Sequence, residues 1–144
     1  MAEPQNSAAV LLPLQVDIVS DVVCPWCILG YKQLQKALAA LPGQFDVTIH
    51  WHPFELNPHM PEQGQELREH LAQKYGTTAE QSAAARSRMS ALGESLGFSF
   101  DYFEGMRMVN TFRAHQLLHW AAIEGRQTAL KLPQRGCKQP RIAR

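Results

Sequence analysis

The sequence has little of three features that mark whole classes of protein. Three cysteines in 144 residues are too few, and too unevenly spaced, for a disulfide scaffold. No apolar run approaches the roughly 18 residues of a membrane span, because the longest, Ala8–Leu14, has seven residues and contains Pro13. No basic segment precedes that run, so it is a poor signal peptide, and we expect a cytoplasmic protein with no membrane partner.

Acidic residues are missing from one end of the chain. Residues 131–144 contain five lysines and arginines and no acid, whereas residues 1–130 carry a net charge of −4. A nucleic-acid-binding domain would instead cluster its cations on a folded face, so no nucleic-acid partner is expected. The sequence also shows no close carboxylate pair for acid–base catalysis and no glycine-rich loop for binding phosphate.

The remaining composition, 45% hydrophobic and 19% charged, is that of a globular chain. Apolar and polar residues alternate in Leu14–Val19 and in Phe45–Trp51, which predicts two strands. Between them, apolar residues recur every three or four positions from Ile28 to Leu41, which predicts a helix that ends at Pro42-Gly43. Strand, helix and strand in this order form a βαβ unit with parallel strands, so the predicted fold class is α/β.

The rest of the chain is predicted to be mostly helical. Helices are expected over residues 65–75, 78–96 and 110–124, with an aromatic loop over 98–109 and a short helix that begins at 127. We therefore divide the chain into four parts: a flexible leader (1–13), the βαβ unit (14–57), a helical insertion (58–131) and a basic tail (132–144).

A cysteine pair lies between the first strand and the first helix, in the motif Cys24-Pro25-Trp26-Cys27. Unpaired N–H groups and the helix dipole favour a thiolate at Cys24, and a thiolate is the attacking species in disulfide exchange. Cys27, one turn further on, can then attack a mixed disulfide formed by Cys24. Pro25 fits the first helical turn, and Trp26 adds an apolar surface near the sulfurs.

Other interpretations of this pair stay open. Cys24 and Cys27 could form half of a zinc site with His50 and His52, whose imidazoles lie on one face of the second strand, or they could be inert. The strand–turn–helix context favours redox chemistry, so neither a metal nor a cofactor is expected. His115 and its neighbour one turn on, His119, are interpreted as packed or partly exposed residues.

Three motifs, in this order, resemble the DsbA-like thioredoxin-fold oxidoreductases, in their FrnE-like branch. The resemblance covers about residues 14–130 and implies a thioredoxin βαβ unit interrupted by a helical insertion. It also implies that Cys24 is the nucleophile and Cys27 the resolving thiol, with Asp21, Pro25 and Trp26 as supporting residues. The motifs are Ser20–Cys27 followed by Gly30, then Trp51–Pro58, then Asn110–His115.

The resemblance fades near Leu132. The family continues into an antiparallel hairpin, with a cis-proline facing the cysteines, and ends in a last helix, whereas Pro133 and Pro140 lie here in the basic tail. We expect a chain truncated at its C-terminal end, lacking the C-terminal part of the thioredoxin core. The sheet edge that this exposes favours pairing, so we expect a metastable monomer or a homo-oligomer that completes the sheet.

The predicted function is thiol–disulfide exchange on a protein or a low-molecular-weight thiol, an activity that truncation could impair. One alternative is a glutathione-dependent isomerase of the same fold, similar to the 2-hydroxychromene-2-carboxylate isomerases. Those look like single-nucleophile sites, usually serine, so the intact cysteine pair speaks against this alternative. The other alternative is a fragment that keeps the motif and acts only as a binding module, or not at all.

Overall fold

A computed structural model describes residues 10–131 of the chain. The leader residues 1–9 and the tail 132–144, with Pro133, Cys137 and Pro140, lie outside the described residues. The larger elements are β1 (Leu12–Ser20), α1 (Pro25–Ala39), β2 (Phe45–Pro53), α2 (Leu67–Tyr75), α3 (Ala79–Ser95), α4 (Phe112–Ile123) and α5 (Gln127–Lys131), and the two short strands are β3 (Gln65–Glu66) and β4 (Arg107–Met108).

The predicted βαβ unit is confirmed. β1 and β2 pair in parallel from Leu12 opposite Phe45 to Ser20 opposite Pro53, and α1 connects them. β1 begins at Leu12, inside the range predicted as leader. Pro13 interrupts no bond of this ladder, because the Leu12 N–H points towards β2 and its neighbour Pro13 therefore points away.

The two outer edges of this sheet differ. The outward-facing N–H and C=O of Trp51 on β2 both bond to the side-chain amide of Gln127, at 3.1 and 2.9 Å. On β1, successive backbone N–H groups point to opposite sides, and that of Leu12 points towards β2. The N–H groups of Gln15, Asp17 and Val19 therefore point away from β2. Within residues 10–131, β1 has no strand partner on that side.

α1 forms where the sequence predicts it, with Pro25 at its first position. The most buried residues of α1 are Leu29 and Tyr31, at 2% and 7% exposure, and the ring of Tyr31 contacts that of Trp51 on β2. Leu29 was not part of the predicted stripe. The helix ends at Ala39. It does not continue through Leu41, because a residue that precedes a proline avoids the helical conformation.

The segment 58–131 is mainly helical, as predicted, but it also contains a small strand pair that was not predicted. β3 and β4 are antiparallel, with Gln65 opposite Met108 and Glu66 opposite Arg107. Gly64, at φ +70°, makes this pairing possible, since a Cβ at this position would lie 2.3 Å from the carbonyl oxygen of Met108. Strands of two residues are too short to show an alternation of apolar and polar residues, so no sequence pattern predicts them.

Local capping explains where α2 begins and ends and where α3 begins. The side chain of Glu66 accepts a hydrogen bond from the Glu69 N–H at the start of α2, and Gly76 ends that helix in the left-handed conformation. Thr78 and Gln81 form a reciprocal capping box at the start of α3. Among residues 10–131, no helix is long and apolar enough to cross a membrane.

Candidate active site

Cys24 lies at the N-cap of α1, directly after the turn that follows β1. Its backbone is extended (φ −84°, ψ 109°), and its N–H donates to the carbonyl oxygen of Asp21 at 3.3 Å. No side chain caps this end of the helix, and its first turn has no acidic residue. The free N–H groups of the first turn are therefore available to an anion at the Cys24 sulfur.

Cys27 lies one turn further into α1 and is half-buried. Burial raises the pKa of its thiol to about 11, and the hydrogen bond and charge of Cys24 add to this increase. A hydrogen bond from the backbone of Asp21 and the charge of Lys131 act in the opposite direction. Cys27 therefore keeps its proton at neutral pH.

Asp21 is the centre of a buried polar network behind the cysteines. Its side chain is among the most buried of the described residues, at 2% exposure. One carboxylate oxygen, Oδ2, accepts the Leu56 N–H at 2.8 Å, and the other, Oδ1, lies 3.2 Å from Nε2 of His115. A buried carboxylate with bonds to both oxygens fixes the turn that carries Cys24.

His115 completes this network from α4. Its Nε2 also lies 3.1 Å from the carbonyl oxygen of Phe54 and thus faces two acceptors, so it is the nitrogen that carries hydrogen. From the sequence, His115 is predicted only to be packed or partly exposed, with no role at the site. The sequence does carry one signal for this role, because His115 belongs to the third motif. Asp21 of the first motif bonds to Leu56 of the second and to His115 of the third, so the network joins all three.

Trp51, near the end of β2, lines the same space as the two cysteines. Its ring lies 5.2 Å from that of Tyr31, centre to centre, and its Nε1 donates to Oγ1 of Thr128 at 2.9 Å. Nζ of Lys131 lies 4.6 Å from the centre of the same ring. Together with the Gln127 bonds, these contacts attach α5 to the active-site end of β2.

A mainly apolar cleft of about 220 Å³ opens beside the cysteines. One wall is the start of α1 with Cys24 and Cys27, and the opposite wall comes from α2, α3 and the aromatic loop. Aromatic contacts hold this loop together, with Phe98 edge-on to Phe100 and Phe100 stacked on Tyr102. The apolar residues of the far wall are Leu67, Leu71, Met89, Phe98, Phe100, Met106 and Met108.

The two residues between the cysteines occupy different surroundings. Pro25 stands at the first position of α1 and lines the cleft. Trp26 is 62% exposed and is not part of the cleft wall. Any role of Trp26 in binding therefore lies outside the cleft, on the surface beside it.

The zinc interpretation finds no support in the arrangement. His50 and His52 lie on the exposed face of β2 and pair with Asp17, whose Oδ1 is 2.7 Å from Nε2 of His52. The hydrogen bond from His52, followed by that from Gln15, lowers the pKa of the Asp17 carboxyl. Within the described part of the chain, no group of three or more histidine, cysteine or acidic side chains is arranged to hold a metal ion.

Comparison with known proteins agrees with the architecture. Residues 15–133 match the family described as DSBA-like thioredoxin domain. The chain is also similar to a solved structure, that of the probable DsbA oxidoreductase SCO1869 from Streptomyces coelicolor, with 35% identity and a TM-score of 0.74. The similarity covers 81% of this chain and 50% of that one, so this chain spans about half the length of the relative. No curated protein matches the chain.

These matches agree with what the three motifs implied, and they confirm a thioredoxin-like fold with a helical insertion. The matched range contains both cysteines, Asp21 and His115. It begins in β1 and extends through α5, so it includes every element that contributes to the cleft. The chain therefore belongs to the DSBA-like thioredoxin domain family.

Proposed function

We propose that this chain is a thiol–disulfide oxidoreductase in which Cys24 attacks and Cys27 resolves. The observation that carries the proposal is the position of Cys24 at the N-cap of α1, with Cys27 one turn on and both facing the apolar cleft. A helix start favours the anionic sulfur that attacks a disulfide. Membership of a family that contains disulfide oxidoreductases supports the same assignment.

The reaction balances over two exchanges. The Cys24 thiolate attacks one sulfur of a substrate disulfide, and the other sulfur leaves with the electron pair and takes a proton from water. Cys27 then loses its proton and attacks Cys24 of the mixed disulfide, which releases the second substrate thiol. The substrate gains two electrons, the chain ends with a Cys24–Cys27 disulfide, and a dithiol reductant in solution restores the pair.

The cleft favours a substrate with apolar groups beside its disulfide. Methionine side chains adapt to differently shaped partners, and three of them lie in the wall that faces the thiols. We therefore propose a protein disulfide flanked by apolar residues as the preferred substrate over a small polar thiol. Asp21 and Pro25 hold the cysteine turn in this proposal, Trp26 offers surface beside the cleft, and the cytoplasmic location stays a prediction.

Equilibration with glutathione redox buffers tests the proposed pair. After acid quenching and alkylation, peptide mapping should show one two-electron transition in which Cys24 and Cys27 become linked to each other. A Cys137→Ser variant of the full chain should titrate identically, because the third cysteine takes no part in the exchange.

Two outcomes would overturn the proposal. One is a pair that stays reduced in every buffer, which would favour a binding module. The other is glutathione held on Cys24 without the second step, together with an isomerase activity that survives Cys27→Ser. That pattern would favour the glutathione-dependent isomerase instead.

We also propose that the outer edge of β1 pairs with the same edge of a second copy. The N–H groups of Gln15, Asp17 and Val19 face outward there, and Val19 is 64% exposed. Unpaired strand edges of this kind attract other strands. The matching edge of β2 is occupied at Trp51 by Gln127, so within residues 10–131 the open edge of the sheet is that of β1.

Sedimentation velocity on the full chain should then show a dimer or larger species. Gln15→Pro should shift it towards monomer, since it removes an outward N–H and leaves the bonds to β2 intact. Gln33→Ala, at an exposed position of α1, is the control and should leave the distribution unchanged. A monomer for both the parent and Gln15→Pro would contradict the pairing.

A further inference from the structure

Lys131, the last residue of α5, lines the same cleft as the two thiols. Its position is determined by several contacts rather than by a flexible stem alone. The Gln127 amide and the Thr128 hydroxyl attach α5 to Trp51, and Nζ of Lys131 lies over the Trp51 ring at 4.6 Å. The ammonium group is therefore held over the Trp51 ring, in the cleft that both thiols line.

This ammonium group is half-buried and has no ion-pair partner among the described residues. Among residues 10–131, no carboxylate oxygen lies within 4.0 Å of Nζ of Lys131, and the nearby Asp21 already accepts from Leu56 and His115. Burial lowers the pKa of Lys131, whereas the charges of Cys27, Asp21 and Cys24 oppose this change, in that order. A partly desolvated cation costs free energy unless nearby negative charge compensates for it.

We propose that Lys131 is a positioning residue of the resolving step, whose ammonium stabilises the negative charge that develops on Cys27. The proposal rests on the proposed function. Cys27 is the group that needs such help, because its thiol loses its proton at neutral pH only with difficulty. In this proposal Lys131 forms no bond with the substrate and acts through the sulfur of Cys27.

The step balances with Lys131 unchanged. The Cys27 proton passes to water, the sulfur attacks Cys24, and the bond between Cys24 and the substrate sulfur breaks. The substrate sulfur leaves with the electron pair and takes a proton from water. Lys131 stays protonated throughout and makes no bond, so its contribution is electrostatic.

Other charged groups face the same region and set the background for this interaction. The cleft wall opposite α5 carries Arg86, Asp101 and Arg107, and the guanidinium of Arg107 bonds to the Gln63 and Gly64 carbonyl oxygens. The side of Lys131 that faces β2 and α4 is shared with three histidines, His52, His115 and His119. Lys131 itself lowers the pKa of Cys27, as Asp21 does through its backbone, while burial and Cys24 raise it.

Alkylation of a single thiol at neutral pH tests the inference without any substrate. In the full chain with Cys24→Ser and Cys137→Ser, the rate at which iodoacetamide alkylates Cys27 is measured, and this rate follows the thiolate fraction. Adding Lys131→Met should lower the rate roughly threefold or more, the size expected for one partly screened charge. Lys131→Arg should stay near the parent value, and Lys36→Met, in the last turn of α1, is the control for loss of a distant charge.

The rate of the second step gives an independent readout. In the chain with both active cysteines, a mixed disulfide made on Cys24 should resolve roughly threefold or more slowly with Lys131→Met, in proportion to the lost thiolate. Lys131→Arg should restore the rate, whereas a merely structural role of Lys131 would leave the alkylation rate of Cys27 the same in parent and Lys131→Met. Equal alkylation and resolution rates for parent and Lys131→Met would overturn the inference. Absence of exchange in the parent would instead overturn the proposed function, while the alkylation rate of Cys27 would still decide the role of Lys131.

Discussion

Cys24→Ser should reduce insulin disulfide turnover by the full chain to the rate of the reductant alone. The serine hydroxyl is not ionised at neutral pH, so no first attack on the substrate occurs. Serine is a favourable N-cap residue, and Cys24 caps α1 through no side-chain hydrogen bond, so the substitution should not unfold the helix. The measurement is insulin reduction with a dithiol reductant, against a Cys137→Ser control that keeps full turnover.

Cys27→Ser should fail at a different point of the same reaction. Cys24 can still attack, but the mixed disulfide must then be resolved by a thiol from solution. Cys27 acts at a much higher effective concentration than such a thiol, so turnover should fall by roughly 100-fold or more. A covalent complex with the substrate should accumulate. Equal residual turnover in both variants, with no covalent complex in either, would contradict the division of roles between the two cysteines.

Replacing His115 by leucine should lower the free energy of unfolding by about 3 kcal/mol, the effect of removing one partner from a buried polar pair. His115 is 7% exposed, and without it the Oδ1 atom of the buried Asp21 loses its partner from α4. The carbonyl oxygen of Phe54 loses the same donor. Urea unfolding followed by far-ultraviolet circular dichroism measures the change.

His119→Leu is the matched control for this prediction. His119 lies one turn further along α4 and is exposed, so its replacement should change the free energy of unfolding by less than about 0.5 kcal/mol. A similar small effect for His115→Leu would show that the pair with Asp21 contributes nothing to the fold. A large effect confined to His115 would support the network as the link between α4 and the cysteine turn.

The βαβ unit was predictable because its parts follow local rules. Alternating residues in β1 and β2 and the helical period of α1 are each legible within a dozen residues, and both strands pair as expected. The β3–β4 pair was not predictable, since it depends on the close approach of Gly64 to Met108 across more than forty residues. The exact start of β1 was missed because Pro13 suggested an irregular segment, although it occupies an outward-facing edge position.

The candidate site was predictable only in part. The positions of Cys24 and Cys27 at the start of a helix follow from the sequence, because a strand and a helical period flank them. The bond from His115 to Asp21 joins residues 94 positions apart, and no periodicity reports such a contact. Lys131 was missed for a related reason, since only the docking of α5 onto Trp51 brings it to the cleft.

The most direct test is to map the covalent complex that Cys27→Ser forms with insulin. The complex is trapped by acid, digested without reduction and analysed by mass spectrometry. The account predicts that the substrate cysteine is linked to Cys24, in the peptide that contains Pro25 and Trp26. A substrate linked to Cys137 instead, or a complex that forms equally in the Cys24→Ser variant, would contradict it.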